Sequence, residues 1–417
     1  MNLLISFVFT LLTALFVSLF KRHWIVNPVI LFLLFNWIIG IGIIYQLNLT
    51  DHADLLHCVV LLLSVAGIGV GAFTGALDVA TLSTQKFSSS YRNFWAEEEN
   101  SERKFVFRRV KLVFVFSLLI TIIYYYVIGY NLTLVAFNPA IDDVTTARLN
   151  AYAGEDYYAP GIVNQFKNTL LPICFLILAT KIERRKYKLI FVASMIPVLV
   201  YALAGTGQRT FIAIFLIMLA VSLMALRRGA VRIAYFVVPA VVGFLVFMYL
   251  SVQLGRSEGG IFAGAEELLR RVFYSNQFAA VHGFRFIQQE EVQYGSDWWR
   301  SIVGLLPGVA GSDIANRIFA DLFGGTRGTA PLSVWGSVFY NFGLLGVFPV
   351  AFAIGFIYIK IYHFFLKGEF TKVRVIVYGA LFTYLSIWIA GSPVQLLNNG
   401  VLAVLLLLAL RRYRINL

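Results

Sequence analysis

The sequence predicts an all-α polytopic membrane protein with about eleven transmembrane helices and one large, partly helical loop. Three observations carry that prediction. Of the 417 residues, 59% are hydrophobic and only 13% charged, with a mean hydropathy of +0.80; soluble domains run at about 45–50% apolar and about 25% charged. Eleven apolar segments approach the roughly 20 residues that cross a bilayer. The loops between them alternate in charge. Composition alone excludes a soluble enzyme, a secreted disulfide scaffold and a disordered tail.

The spans fall near 3–20, 25–47, 55–77, 112–131, 161–180, 189–204, 208–226, 233–252, 331–359, 375–391 and 394–410. The first reads as a retained helix rather than a signal peptide, because its basic residues, Lys21 and Arg22, follow the apolar run. One set of loops comprises Lys21–Arg22, residues 78–111, the basic run starting at Lys181, Arg227–Arg232, Lys360–Arg374 and Arg411–Arg414. It carries 24 of the 34 Lys and Arg residues, and the other set carries 10. Positively charged loops stay in the cytoplasm, so the N-terminus is expected outside and the C-terminus inside. The net charge of +13 is then a topology signal, and no nucleic-acid partner is expected. Cys58 and Cys174 lie inside apolar segments and read as neither disulfide partners nor metal ligands.

Taken as domains, residues 1–252 carry helices 1–8, residues 253–330 form the large periplasmic loop, and residues 331–417 carry helices 9–11. The cytoplasmic stretch 78–111 mixes Lys, Arg and Glu with aromatics and reads as a surface helix against anionic lipid. Gly205-Thr206-Gly207 makes the tight turn between two spans, since glycine admits the φ values a turn needs. The first outside loop, 132–160, holds Asp142, Asp143, Arg148, Glu155 and Asp156. The second, 253–330, is too long to lack structure. Residues 262–288 have helical spacing. Ser296-Asp297-Trp298-Trp299-Arg300 and the apolar residues after it read as a short surface helix with its tryptophans at headgroup level. Pro393 is the main candidate for a broken helix.

The outside cations are unusual in kind. Nine of the ten are Arg, at 148, 209, 256, 270, 271, 285, 300, 317 and 327, and the exception is Lys167. No Lys occurs from 189 to 359, where eleven Arg do. The guanidinium is a rigid fork that grips phosphate or carboxylate with two bonds. Ordinary pairing with loop acids competes with that reading: loop 253–330 holds eight acids beside seven Arg. Glu266–Arg270 and Glu267–Arg271 have salt-bridge spacing on a helix, and Arg285 and Arg300 read as interfacial. Arg209 stands at the head of a span with no acid nearby in sequence, where a charge is costly and usually functional. Arg256, Arg317 and Arg327 are further anion-binding candidates. Glu258, Asp313 and His282 are candidate general bases, in that order. No metal-ligand cluster, nucleotide-binding glycine loop or serine nucleophile elbow is found.

Two segments resemble the Wzy-type oligosaccharide repeat-unit polymerases, or O-antigen polymerases. Gly205-Thr206-Gly207-Gln208-Arg209-Thr210, leading into an apolar helix, is similar to that family's small-residue turn, Arg and transmembrane helix. Thr329-Ala330-Pro331-Leu332-Ser333, with Gly336 and then Tyr340-Asn341-Phe342-Gly343-Leu344-Leu345-Gly346, is similar to its helix entry after the large periplasmic loop. The resemblance covers the architecture and about 40 residues of pattern. It implies a GT-C-like, metal-independent, lipid-donor glycosyltransferase of the bacterial inner membrane, with no cofactor. Its substrates would be undecaprenyl-diphosphate-linked oligosaccharides, and its partners the bilayer, a flippase and a chain-length regulator. Fixed cations would stabilise the leaving diphosphate, a role assigned to Arg209, Arg256, Arg317 and Arg327. Tyr340 and Asn341 would hydrogen-bond sugar or diphosphate. The rival readings are an O-antigen ligase, which moves glycan to lipid A-core, and a membrane transporter or flippase, which would favour repeats and buried acids.

Overall fold

The computed structural model describes residues 1–20, 27–80, 84–96, 104–135, 160–227, 237, 241, 243–245, 266, 269–306, 309–325 and 328–412. Among them the regular structure is helical, apart from an isolated antiparallel bridge between Ser333 and Ala390. Six helices are long and apolar enough to cross a membrane: Asn2–Leu19, Pro28–Gln46, His52–Leu77, Phe107–Ile128, Arg185–Ala204 and Val334–Leu366. Shorter apolar helices occupy Thr210–Leu226 and Pro393–Ala409. This is a helical, multi-pass membrane protein. The expected span 233–252 lies almost wholly outside the described residues.

The chain packs into two compact units that interleave along the sequence. The first comprises Met1–Ala96, Glu266–Gly368 and Leu385–Leu396. It contains α1 (Asn2–Leu19), α2 (Pro28–Gln46), α3 (His52–Ala80) and α4 (Thr84–Ala96). Asn27 caps α2, its Oδ1 accepting the Val29 N–H at 2.9 Å, and Pro28 takes the first helical position, where its missing N–H is not needed. From Glu266 onward come α5 (Asn276–Ile287), α6 (Ser296–Val303), α7 (Ile314–Phe323) and α8 (Val334–Leu366). Helix α8 is the longest. Ser333 caps it through the Gly336 N–H, and Gly343 breaks it with φ of +63°. The sequence reads 331–359 as one uninterrupted span; only the positive φ reveals the kink.

Helices α3 and α8 run together along their length. Gly67, Gly71 and Gly75 recur every four residues and so share one face of α3. A Cβ at Gly71 would stand 2.0 Å from the Phe352 carbonyl oxygen, and one at Gly355 would stand 2.1 Å from that of Ile68. Small residues on both helices let the backbones touch, which is how helices associate where lipid removes the hydrophobic drive. Helix α2 joins the same core through a buried hydrogen bond, Trp335 Nε1 to Asn36 Oδ1 at 2.7 Å.

The second unit comprises Glu97–Ala265, Glu369–Tyr384 and Leu397–Leu417. It contains α9 (Lys104–Ile128), the one-turn α10 (Leu132–Val135), and a helix in three parts: α11 (Pro160–Asn164), a π-helical turn at Gln165–Leu170, and α12 (Leu171–Lys181). Helices α13 (Arg185–Ala204) and α14 (Arg209–Leu226) form the expected hairpin around Gly205–Gly207, where Gly207 has φ of +73°. The unit also includes most of α15 (Lys372–Ser386), a π-helical turn at Leu397–Val401, and α16 (Leu402–Arg412). Near Pro393 the helical path is broken, as expected: α15 ends at Ser386 and a short helix, Pro393–Leu396, opens at the proline. A second break lies at Gly400, with φ of +140°. A Cβ there would meet the Tyr384 ring and Thr169 Oγ1.

Candidate functional site

In the first unit, the large loop folds into helices α5, α6 and α7, and these gather several of the predicted residues. His282 on α5 meets Asp321 on α7, Nε2 to Oδ2 at 2.8 Å. Arg317, four residues before Asp321 and therefore on the same face of α7, pairs with Glu290 just beyond α5. The Arg317 guanidinium also lies 5.5 Å from the centre of the Phe286 ring. Residues 282 and 286 of one helix thus face 321 and 317 of the other. Asp313 is the N-cap residue of α7. It is exposed, its side chain makes no capping bond, and its carbonyl accepts the N–H groups of Asn316 and Arg317.

Arg285, which its sequence setting reads as interfacial, is tied to the start of α3. It grips the buried Asp54 with two bonds, Nε to Oδ1 at 2.7 Å and Nη2 to Oδ2 at 2.6 Å. The hydrogen bond to Asp54 raises the Arg285 guanidinium above its ordinary value, against the opposing effect of partial burial. The two residues are 231 positions apart, so no local pattern announces them. Arg300 donates to the Gln293 side chain at 3.2 Å.

Tyr340 and Asn341, expected to bind sugar or diphosphate, lie buried in α8. The Asn341 amide accepts the Trp298 N–H at 3.1 Å and donates to the Ser337 carbonyl at 2.9 Å. The carbonyls of Tyr340 and Asn341 accept the N–H groups of Gln293 and Gly295. Both residues therefore hold the segment leading into α6 onto α8. The two tryptophans read as lying at headgroup level have different surroundings. Trp299 is exposed, but Trp298 turns inward, donating to Ser337 Oγ at 2.9 Å and packing on Phe342 and Trp388.

The second unit holds Arg209 at the first position of α14, after Gln208, whose side chain makes no cap. Tyr125 and Asn131 hold the end of α13 through bonds to the carbonyls of Ala202 and Tyr201, and the Leu132 N–H donates to Gly205. Arg256, Glu258 and Arg327 lie outside the described residues.

Lys167 is the residue the sequence reading passed over. It is the lone charge between 161 and 180, and it falls within the π-helical turn. Its side chain is completely buried. Nζ sits 4.9 Å from the centre of the Tyr124 ring, 5.4 Å from Tyr125 and 5.9 Å from Phe211. Among the described residues it has no hydrogen-bond acceptor, and Asn168 Oδ1 and Thr206 Oγ1 are likewise buried without a partner. Ring faces attract a cation but offer no lone pair. A buried donor left unmet costs about 1–3 kcal/mol, and Nζ carries three. The sequence signal was a charge inside an apolar run, which the focus on Arg obscured.

The π-helical turn is itself anchored. Gln165 Nε2 donates to the Asn398 carbonyl at 2.6 Å in the second π-helical turn, and its Oε1 accepts the Ala403 N–H at 3.3 Å. Such turns often mark functional positions. Among the described residues no group of three or more His, Cys, Asp or Glu is placed to hold a metal ion. No family model, curated protein or solved structure matches the chain.

Proposed function

We propose that the protein is a Wzy-type, GT-C-like glycosyltransferase that polymerises oligosaccharide repeat units carried on undecaprenyl diphosphate. It works at the periplasmic face of the bacterial inner membrane, with eleven spans, the N-terminus periplasmic and the C-terminus cytoplasmic. Its partners are the lipid-linked units, a flippase that delivers them and a chain-length regulator. The observation that supports this reading best is the face shared by α5 and α7. There a histidine held by a carboxylate lies beside an arginine, on helices of the large loop.

The chemistry requires those two functions. An acceptor hydroxyl attacks the anomeric carbon of the growing chain. The bond from that carbon to the diphosphate breaks, and the lipid diphosphate leaves with the bonding pair. The hydroxyl proton passes to a base, and a fixed cation offsets the charge on the leaving group. His282 has an orienting carboxylate in Asp321, the arrangement that activates a base, and so moves ahead of Asp313 and Glu258. On this face Arg317, engaged by Glu290, is the cation available to the leaving group, and Arg209 is a separate candidate that the resemblance implies.

The test is a gel of surface glycan from the host with this gene deleted. Polymerase activity predicts lipid A-core bearing one repeat unit and loss of the long ladder. An unchanged ladder would end the reading. Arg209→Lys should insert normally yet lose most of the ladder, because an ammonium cannot reproduce the two-bond grip on phosphate.

A further inference from the structure

Along the second unit's hairpin of α13 and α14 runs a groove of about 380 Å³ closed by α12 and Ile376. Its walls are apolar, with Phe175, Ile196, Leu203, Ile212, Phe215 and Leu219 typical, and Thr180, Lys188 and Ser222 the polar lining residues. The α13 residues lining it run from Lys188 to Leu203, roughly 22 Å along a helix. That exceeds one leaflet of a hydrocarbon core about 30 Å thick. At the end by the Gly205 turn, Leu203 and Ile212 belong to a buried cluster against which Phe211 packs, and the Phe211 ring is one of the three around the Lys167 ammonium. A long apolar groove therefore ends one side chain away from a completely buried cation that lacks an acceptor. Two further buried polar atoms without partners, on Asn168 and Thr206, lie within two residues of Lys167 and of the turn glycines.

We propose that this is the seat of a long-chain lipid phosphate, with the chain in the α12–α13–α14 groove and a phosphate oxygen on Lys167 Nζ. The orphaned Thr206 hydroxyl supplies a further donor to the phosphate. The ligand's chemistry follows from the two halves of the site: a single long apolar chain for the groove, and an anion of several acceptor oxygens for an ammonium with three donors. That the chain is a polyprenyl rests on the polymerase reading above. Lys167 is a positioning residue on this account. It holds the lipid carrier and takes no part in proton transfer.

The test is native mass spectrometry of the full chain in detergent micelles, offered polyprenyl phosphate, the uncharged polyprenol, phosphatidylglycerol or inorganic phosphate. The protein should retain polyprenyl phosphate about ten- to hundredfold better than polyprenol. Lys167→Met should erase that preference while leaving polyprenol binding in place, and Lys167→Arg should keep it. Leu219→Trp should weaken both lipids by filling the groove. A Met variant that still prefers the phosphate would overturn the site. So would phosphatidylglycerol binding as tightly as polyprenyl phosphate, or inorganic phosphate displacing the lipid at equal concentration. The two readings fail separately. Selective binding that depends on Lys167, alongside an unchanged ladder in the deletion strain, would keep the site and remove the polymerase. A lost ladder with binding indifferent to Lys167 would do the reverse.

Discussion

Basic side chains of the two units are treated in opposite ways. In the first unit Arg285 meets Asp54, Arg317 meets Glu290 and His282 meets Asp321. In the second, Lys167 is more deeply buried than any of them and meets only aromatic rings. The sequence places three of them in the large loop and Lys167 inside an expected span. Their distinction lies in which acids the fold brings near, and those acids come from 27, 39 and 231 residues away. The matched groups tie helices together, whereas Lys167 has no acceptor among the described residues.

Stability should divide along the same line. The largest effect is expected at Arg285. Its side chain is 42% exposed while that of Asp54 is 1% exposed, so Arg285→Ala abandons a buried carboxylate. The loss should be about 3–5 kcal/mol, read as a lower unfolding midpoint in detergent. Asp54→Asn, which leaves an arginine able to reach water, should cost clearly less. Equal losses would mean that the pair is not buried in the way the geometry implies.

Lys167→Met should move stability the other way. Replacing an unmatched buried charge with an apolar side chain of similar length removes its desolvation cost and should raise the unfolding midpoint. A rise in the unfolding midpoint together with a loss of lipid-phosphate selectivity would mark Lys167 as a residue held against stability. A fall in the midpoint would place Lys167 with Arg285 among the structural cations and dissolve the contrast.

An uncharged control separates packing from electrostatics. Gly71→Ala puts a methyl group onto the Phe352 carbonyl and should cost about 1–3 kcal/mol through overpacking. Because Gly355 lies in the same seam, the double substitution with Gly355→Ala should not be additive. Salt should leave both losses unchanged.

The helices were largely legible in the sequence, because a run of apolar residues is a local signal. The Gly205–Gly207 turn and the head of α14 at Arg209 were legible for the same reason. The interruptions were not. Gly343 sits inside an apolar run, and Gly400 and the π-helical turn at 165–170 sit in polar patches of segments read as single spans; the backbone geometry shows the breaks. Asn341 was misjudged because a polar side chain on a span looks alike whether it faces substrate or, as here, ties α6 to α8. For His282 the sequence offered the residue but not Asp321, which becomes its neighbour only when α5 and α7 pack.

The smallest expected effect tests the structural half of the contrast at its weakest point. The Arg317 and Glu290 side chains are 40% and 27% exposed, so water screens the pair and side-chain ordering offsets much of its attraction. A double-substitution cycle with Arg317→Gln and Glu290→Gln should give a coupling of about 0.2–1 kcal/mol, fading as salt rises toward 1 M and the screening length falls to about 3 Å. Activity gives the sharper reading. If Glu290 merely neutralises Arg317, Glu290→Gln should leave the glycan ladder intact. If Glu290 instead holds in check a guanidinium that turns to the substrate diphosphate, the same substitution should change polymer length while stability barely moves. That second result would transfer Arg317 from the matched cations to the working ones, and the line between matched and working cations would then run through α7 itself.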